Sequence, residues 1–199
     1  MKHEWRKAEK ELYLPKTTPM YLEVPAFNFL TITGQGDPNE SAFGDRVAAL
    51  YSLAYGIRMK LKQQGFEYTV YPLEGLWTLP AAPTAPGQFN KADLQYKIMI
   101  RQPESVTETE FEVIRQAVER KKPNMYLSQV NFETITDGPA VQVMHIGPYD
   151  TESELFAKLT AFCETNQLTP KNHVHREIYL SDARRVAPEK RKTVLRYSV

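Results

Sequence analysis

The chain has 199 residues, 42% hydrophobic and 25% charged, with a formal net charge of +1. This composition is typical of one globular domain, and the small net charge disfavours a nucleic-acid or membrane-surface role. The single cysteine, Cys163, excludes an internal disulfide and a thiol-rich metal site. The N-terminal residues lack the apolar core of a signal peptide, and no apolar run is long enough to cross a bilayer. We therefore expect a cytoplasmic protein.

The first half of the chain, about residues 20–104, predicts the order strand, helix, strand, strand. In chain order we predict strands over 21–25 and 27–33, a turn over 34–39, a helix over 41–64, extended segments over 66–70 and 73–79, a proline-rich hairpin loop over 80–87, and a strand over 94–100. The helix is favoured by helical spacing of apolar residues and by Gly65 as its stop signal. The charged segment from Glu4 to Lys16 predicts an irregular or helical lead-in.

The second half, about residues 105–199, repeats this order after an extra helix. We predict helices over 108–121 and 151–166, and strands over 130–136, 140–146, 173–181 and 193–199. Thr107 and Glu110 form a capping-box pattern for the first of these helices, and Asp137-Gly138-Pro139 predicts a turn. We expect one α+β domain over residues 1–199. Its two pseudo-symmetric strand-helix-strand-strand repeats form a sheet with both long helices on one face and a ligand groove on the other.

Glu177 is the most informative residue of the predicted strand 173–181. Side chains alternate along a strand, so Glu177 shares one face with Tyr179 while the other face is apolar. A carboxylate in this setting is costly to bury without a partner, which indicates a functional role. The alternative is an internal pair with Arg196 or a histidine. Arg176 is a poor partner, because neighbouring strand residues point to opposite faces.

Glu74 occupies a similar place in the first half, since sliding one half onto the other aligns it with Glu177. It is either a second polar anchor for a ligand or the partner of a base such as Lys97. Trp77 lies three residues further on and favours the opposite strand face, unless a bulge at Gly75 redirects it. Its roles are a pocket wall or core filling.

Several spaced motifs extend across both halves of the chain. They are His145–Asp150, Glu177–Arg185 and Lys192–Arg196 in the second half, and Pro72–Trp77 and Ile100–Glu104 in the first. Together they resemble the GyrI-like small-molecule-binding proteins, and the first-half motifs are similar to the stand-alone, full-length branch of that family. The resemblance covers nearly everything after about Tyr21. Ala183 stands where the family usually has proline, which affects loop stiffness more than chemistry.

The resemblance implies two repeats around a central groove. In transcriptional regulators of this family the domain binds bulky, aromatic, often cationic drugs, and a DNA-gyrase inhibitor carries it too. Some stand-alone members hydrolyse the strained cyclopropane of DNA-alkylating cyclopropylpyrroloindoles. The expected function is therefore binding and hydrolysis of such genotoxins without a cofactor. The alternatives are a non-catalytic sequestering or sensing module, or a gyrase-inhibitor-like interaction protein. The oligomeric state, monomer or dimer, stays open.

The candidate catalytic residues are Glu177 and Tyr149. The family's buried glutamate matches Glu177, which we expect either to attract a cationic or electron-poor planar ligand or to act as a general base towards water. Tyr149 follows a Gly-Pro turn and is either a hydrogen-bond donor to a ligand carbonyl or a turn-packing residue. The candidate ligand-binding residues are Trp77, Tyr179, Glu74, His145, Tyr71 and Tyr96. The last two are the weaker candidates, because both can also lie under the helices.

Other motifs favour simpler interpretations. His173, His175 and His145 lack a metal-binding motif around them, so we predict no metal site. Gly34-Gln35-Gly36 lacks the rest of a phosphate-binding fingerprint. The basic run over 184–192 contains Pro188 and Glu189 and is typical of a solvated loop rather than a nucleic-acid arm. We expect a small-molecule ligand as the partner.

Overall fold

A computed structural model describes residues 2–78, 90–151, 153–172 and 174–199. The strands are β1 (Met20–Gln35), β2 (Leu73–Thr78), β3 (Gln95–Gln102), β4 (Asn131–Ile146), β5 (His175–Tyr179) and β6 (Lys192–Ser198). The helices are α1 (Trp5–Ala8), α2 (Lys10–Tyr13), α3 (Ser41–Gln63), α4 (Glu108–Lys121) and α5 (Ser153–Thr165). The predicted α+β class is confirmed. The described residues contain no helix with the length and apolar character needed to span a membrane.

The observed elements differ from the prediction mainly in the long strands. Residues 21–25 and 27–33 belong to the single strand β1, and residues 130–136 and 140–146 belong to the single strand β4. Gly138 has a φ of +69°, as a turn would require, but the chain continues along the strand. Residues 66–70 make one isolated bridge instead of a strand. The predicted hairpin loop over 80–87 lies outside the described residues.

The six strands form a closed barrel in the order β1-β3-β2-β5-β6-β4, and each pairs antiparallel with two neighbours. The two 16-residue strands β1 and β4 pair with each other and join the two halves of the chain. Pro25 is accommodated in β1 because the strand pairs with β3 only from Asn28 onwards, and Pro25 has no ladder partner.

The interior of the barrel is filled by protein. Apolar side chains from the strands form one cluster there, namely Leu22, Val24, Phe27, Phe29, Met99 and Ala140. The N-terminal segment closes it, since Leu12 packs against this cluster and its carbonyl accepts a 2.9 Å hydrogen bond from Arg196 Nη2. The side chain of Gln142 also donates to the Glu11 carbonyl at 2.7 Å. The predicted lead-in is therefore part of the core.

Buried ion pairs cross the barrel interior. Arg176 Nη1 lies 2.8 Å from Glu74 Oε2, and Arg176 Nη2 lies 2.6 Å from Asp137 Oδ1. Arg196 Nη1 is 3.4 Å from the other oxygen of Asp137. Burial alone lowers the pKa of Arg176, but the two neighbouring carboxylates raise it overall. These charges link β2, β4, β5 and β6, and each has a partner of opposite sign.

A second buried pair attaches the N-terminal segment to β3. Glu9 makes a short ion pair with Arg101 and accepts hydrogen bonds from Tyr71 Oη at 2.8 Å and from His3 Nε2 at 2.9 Å. Burial by itself raises the pKa of Glu9, but the Arg101 charge and these hydrogen bonds lower it overall. The segment is therefore fixed partly by a carboxylate that must stay ionised.

Both long helices cover the outer face of the barrel, as predicted. Helix α3 packs on β1 and β3, and α5 packs on β4. The groove was expected on the face opposite the helices. In the structure it lies between the helices on the same outer face, over β2 and β5. The physical reason is closure of the sheet. The inner face, predicted to be open, curves around the N-terminal segment and the buried ion pairs.

Candidate functional site

A groove of about 2200 Å³ opens on the outer face of the barrel. Its floor comes from β2 and β5, with Trp77, His175, Glu177 and Tyr179. One wall is the stripe Phe43, Val47, Tyr51 and Tyr55 of α3, at helical spacing. The other side carries Tyr149, in the 3-10 turn Tyr149–Thr151, and Phe156 of α5. The loop 181–191 lines one part of the rim.

A chain of hydrogen bonds runs across the floor. The indole Nε1 of Trp77 donates to the Tyr179 hydroxyl at 2.8 Å, and this hydroxyl donates to Glu177 Oε2 at 2.7 Å. The other oxygen, Oε1, lies 2.9 Å from His175 Nε2. One side-chain hydrogen bond to each oxygen therefore fixes the orientation of the Glu177 carboxylate. The side chain of Glu177 is 13% exposed, so it reaches the groove.

The register between β2 and β5 explains why these side chains share a face. Trp77 pairs with His175 and Gly75 pairs with Glu177. A Cβ added at Gly75 would lie 2.7 Å from Trp77 Nε1, so glycine is needed for the indole to lie along the strand towards Tyr179. The pairing continues through Gly75 without a bulge. Alternation alone places Trp77 on the groove face.

Aromatic rings surround the carboxylate. Tyr149 makes an edge contact with Tyr179, with ring centroids 5.9 Å apart, and Phe156 makes an edge contact with His175 at 4.9 Å. On the α3 side, the rings of Phe43 and Trp77 lie 5.9 Å apart. Edge-on contacts of this kind fix ring orientation, and their exposed faces can stack on a planar ligand.

Glu74 was predicted as a ligand-binding residue, but the structure places it inside the barrel. It is 2% exposed and pairs with Arg176, not with Lys97. The repeat alignment that matched Glu74 with Glu177 is wrong, because the two side chains lie on opposite faces of the barrel wall, Glu74 inside the barrel and Glu177 in the groove. The residue opposite Glu177 across the strands is Gly75. A slip of one position moves a strand side chain to the other face, which explains the error.

Of the other predicted ligand-binding residues, Tyr71 lines the groove, whereas Tyr96 and His145 do not. Tyr71 lines it, but its hydroxyl binds Glu9. Tyr96 lies beneath α3, with its ring 5.0 Å from Phe43, and is absent from the groove lining. His145 is 3% exposed and is not among the residues that line the groove; its Nε2 is 3.0 Å from Thr151 Oγ1. Burial lowers the pKa of His145, and the charge of Glu177 partly opposes this.

Three aromatic or imidazole side chains of the groove were not predicted from the sequence. His175 was not predicted as a site residue, but a histidine partner for Glu177 was one of the open alternatives, and the 2.9 Å contact between His175 and Glu177 shows that pair. Phe43 and Phe156 were not predicted as site residues, because an apolar helix residue carries no sign of which neighbour it faces. His173 lies outside the described residues. Among the described residues, no group of three or more histidine, cysteine, aspartate or glutamate side chains has the arrangement of a metal site.

The comparisons with known proteins agree with this architecture. Residues 17–197 match the model of the GyrI-like small molecule binding domain, and the chain belongs to this family. An uncharacterized conserved protein from Listeria innocua is 35% identical, covers 98% of both chains and superposes with a TM-score of 0.88. No curated protein matches the chain significantly.

Two further solved structures, both described as hydrolases from Listeria innocua, are 33% identical to this chain. One covers 98% of both chains with a TM-score of 0.88, and the other covers 100% of this chain and 99% of its own with a TM-score of 0.90. The C-terminal domain of EcmrR superposes with a TM-score of 0.52 at 13% identity, which shows a common fold alone. The family establishes a small-molecule-binding domain.

Proposed function

We propose that the protein binds bulky planar aromatic molecules in the groove and hydrolyses those that carry a strained cyclopropane, as in the cyclopropylpyrroloindoles. The observation that carries this proposal is the environment of Glu177. Its carboxylate lies on an aromatic floor, is oriented by Tyr179 and His175, and pairs with no arginine among the described residues. The two Listeria structures described as hydrolases add support at 33% identity over nearly the whole chain.

The arrangement suits addition of water to an activated cyclopropane. A planar ligand stacks on the ring of Tyr179 beside Trp77 and meets the ring of Tyr149 edge-on, because the two tyrosine rings lie at 84° to each other. This brings its three-membered ring to the carboxylate. Glu177 takes a proton from water while the water oxygen bonds to the unsubstituted ring carbon. The broken carbon–carbon bond supplies its electron pair to the conjugated ketone, whose oxygen becomes a phenolate. The phenolate takes up a proton from solvent, and Glu177 releases to solvent the proton that it took from water. One water molecule is added in total, and relief of ring strain drives the step.

Tyr149 and His175 have supporting roles in this scheme. The phenol of Tyr149 donates a hydrogen bond to the ligand carbonyl, where negative charge develops as the ring opens. His175 is a positioning residue, because its 2.9 Å contact with Glu177 fixes one carboxylate oxygen and leaves the other to Tyr179. Neither role requires a cofactor.

The test is incubation of a cyclopropylpyrroloindole with the wild type, with Glu177→Gln and with Glu164→Gln, a matched change at an exposed glutamate of α5. Mass spectrometry should detect the water-added, ring-opened product with the wild type and with Glu164→Gln. Loss of a general base should lower turnover by Glu177→Gln by about 100-fold or more while binding persists. Equal turnover by all three proteins would remove Glu177 from the mechanism.

A second candidate is sequestration or sensing of aromatic molecules without chemistry. It is favoured by the size of the groove, since about 2200 Å³ exceeds the ~300–1000 Å³ of a typical ligand pocket and suits ligands of varied shape. Saturable binding of the same compound to the wild type, with no product after long incubation, would establish this function and exclude the hydrolase.

A further inference from the structure

The rim of the groove carries a marked excess of positive charge. Among the described residues that line it, seven are lysine or arginine, and the only carboxylates are Glu177 and Asp182. Such a field attracts anions to the groove and repels simple cations. Glu177 by itself would favour a cationic ligand. The floor and the rim of the groove therefore favour ligands of opposite charge.

Arg191 is the rim cation with the most defined position. Its Nη2 donates to the Ala183 carbonyl at 2.9 Å and its Nε donates to the Val186 carbonyl at 3.2 Å. The guanidinium carbon lies 5.5 Å from the centroid of the Tyr149 ring. These carbonyls are uncharged, so they orient the guanidinium without neutralising it.

The neighbouring arginines of the loop are different. Arg184 and Arg185 have side chains that are 87% and 84% exposed, and both lie within 4 Å of the Asp182 carboxylate. Exposed pairs of this kind contribute little to binding, because water and salt screen them. Arg6 also lines the groove, but a single carbonyl, that of Leu180, accepts from its Nη2 at 3.2 Å, and its guanidinium lies over Trp5. Arg191 has two carbonyl acceptors and is the positioned cation beside the Tyr149 ring.

We propose that Arg191 is a specificity-determining anchor that selects planar aromatic ligands bearing an anionic oxygen, such as a carboxylate. This rests on the proposed function, because it assumes that the groove is the ligand site. Contacts run from Glu177 to Tyr179, from Tyr179 to Tyr149, and from Tyr149 to Arg191. The two tyrosine rings lie at 84° to each other, so a planar ligand stacks on one of them and meets the other edge-on. In either pose it contacts the ring bonded to the Glu177 carboxylate and the ring beside the Arg191 guanidinium. The preferred ligand is consequently anionic or zwitterionic, and a simple lipophilic cation binds less well.

The experiment uses three pyrene probes with the same ring system and different charge. They are 1-pyrenecarboxylate, neutral 1-pyrenemethanol and cationic 1-pyrenemethylammonium, titrated by fluorescence into the wild type, Arg191→Gln, Arg191→Lys and the control Arg185→Gln. We expect the wild type to bind the carboxylate more tightly than the alcohol. Arg191→Gln should lose about tenfold in affinity for the carboxylate, the cost expected for a charge-assisted hydrogen bond. The alcohol should change less than about twofold, and the cation should bind more tightly.

The two remaining variants complete the design. Arg191→Lys keeps the charge and should recover part of the carboxylate affinity, and Arg185→Gln should change no probe by more than about twofold. Equal losses for all three probes in Arg191→Gln would mean that Arg191 only shapes the loop, and would overturn the inference. An equal effect of Arg185→Gln would overturn it in favour of a diffuse field. Failure of the wild type to bind the alcohol would instead overturn the groove as a ligand site, and with it the proposed function.

Discussion

The Tyr179 hydroxyl is the central member of the floor network, so its removal tests the network directly. Tyr179→Phe deletes the acceptor of the Trp77 indole and one donor to Glu177, at 2.8 Å and 2.7 Å, and leaves the ring in place. The orphaned indole N–H of a residue that is 7% exposed costs about 1 kcal/mol, and the lost charge-assisted bond about 1.5 kcal/mol. We expect a total loss of about 2.5 kcal/mol in the free energy of unfolding.

Urea denaturation followed by circular dichroism measures this loss. A cycle with Trp77→Phe, Tyr179→Phe and the double variant isolates the indole–hydroxyl term, which we expect to be about 1 kcal/mol. Tyr55→Phe is the matched control, because this tyrosine is 52% exposed at the edge of the groove and should change stability by less than about 0.5 kcal/mol. A Tyr179→Phe effect no larger than the control, or strictly additive single effects, would refute the network.

Three further predictions follow from single contacts. In Gly75→Ala the new Cβ would lie 2.7 Å from the Trp77 indole and should displace the ring. We expect a loss of about 1–3 kcal/mol in the free energy of unfolding and weaker binding of 1-pyrenemethanol. An unchanged urea midpoint together with an unchanged affinity would contradict this. Glu74→Gln removes one partner of the buried pair with Arg176 and should lower the free energy of unfolding, measured by urea titration, by about 3–5 kcal/mol. Because Glu74 lies inside the barrel, the folded variant should bind 1-pyrenemethanol as the wild type does. A changed affinity would argue against that position. The pKa of Glu9 is lowered in the folded protein, so its ionised form adds stability above the unfolded pKa of 4.5, and this contribution is lost as pH falls through the lower folded pKa. Glu9→Gln should therefore be less stable than the wild type near neutral pH and approach it in acid. Parallel acid-denaturation curves for the two proteins would exclude the effect.

Local patterns were sufficient for the helices and for the central residue of the site. The spacing of apolar residues placed α3 within a residue or two of its observed bounds, and the capping box of α4 is present as predicted. Alternation along β5 placed Glu177 and Tyr179 on one face, and the structure has both on the groove floor. These features depend on residues close together in the chain, which is why a single sequence carries them.

Features that depend on distant pairing were not predictable in the same way. The barrel closes through β1 and β4, and pairing between residues at least 100 positions apart leaves no local pattern. The side of the groove was wrong for this reason, since an open sheet has a free second face and a closed one does not. The face of Glu74 depended on aligning two halves to a single residue, and the shared glutamate suggested the wrong offset.

The solid interior of the barrel has a consequence for how the groove can accommodate guests of different size. Each strand is bonded on both sides, and charged pairs from both halves meet at the centre, so the halves cannot swing apart as a hinged clamshell without breaking those pairs. Adaptation then falls to the rotamers of the ring side chains and to small shifts of α3 and α5 over a stationary base. A protein built in this way recognises new molecules by changing its walls, and substitutions along two helix faces can alter its ligand range while the framework beneath stays the same.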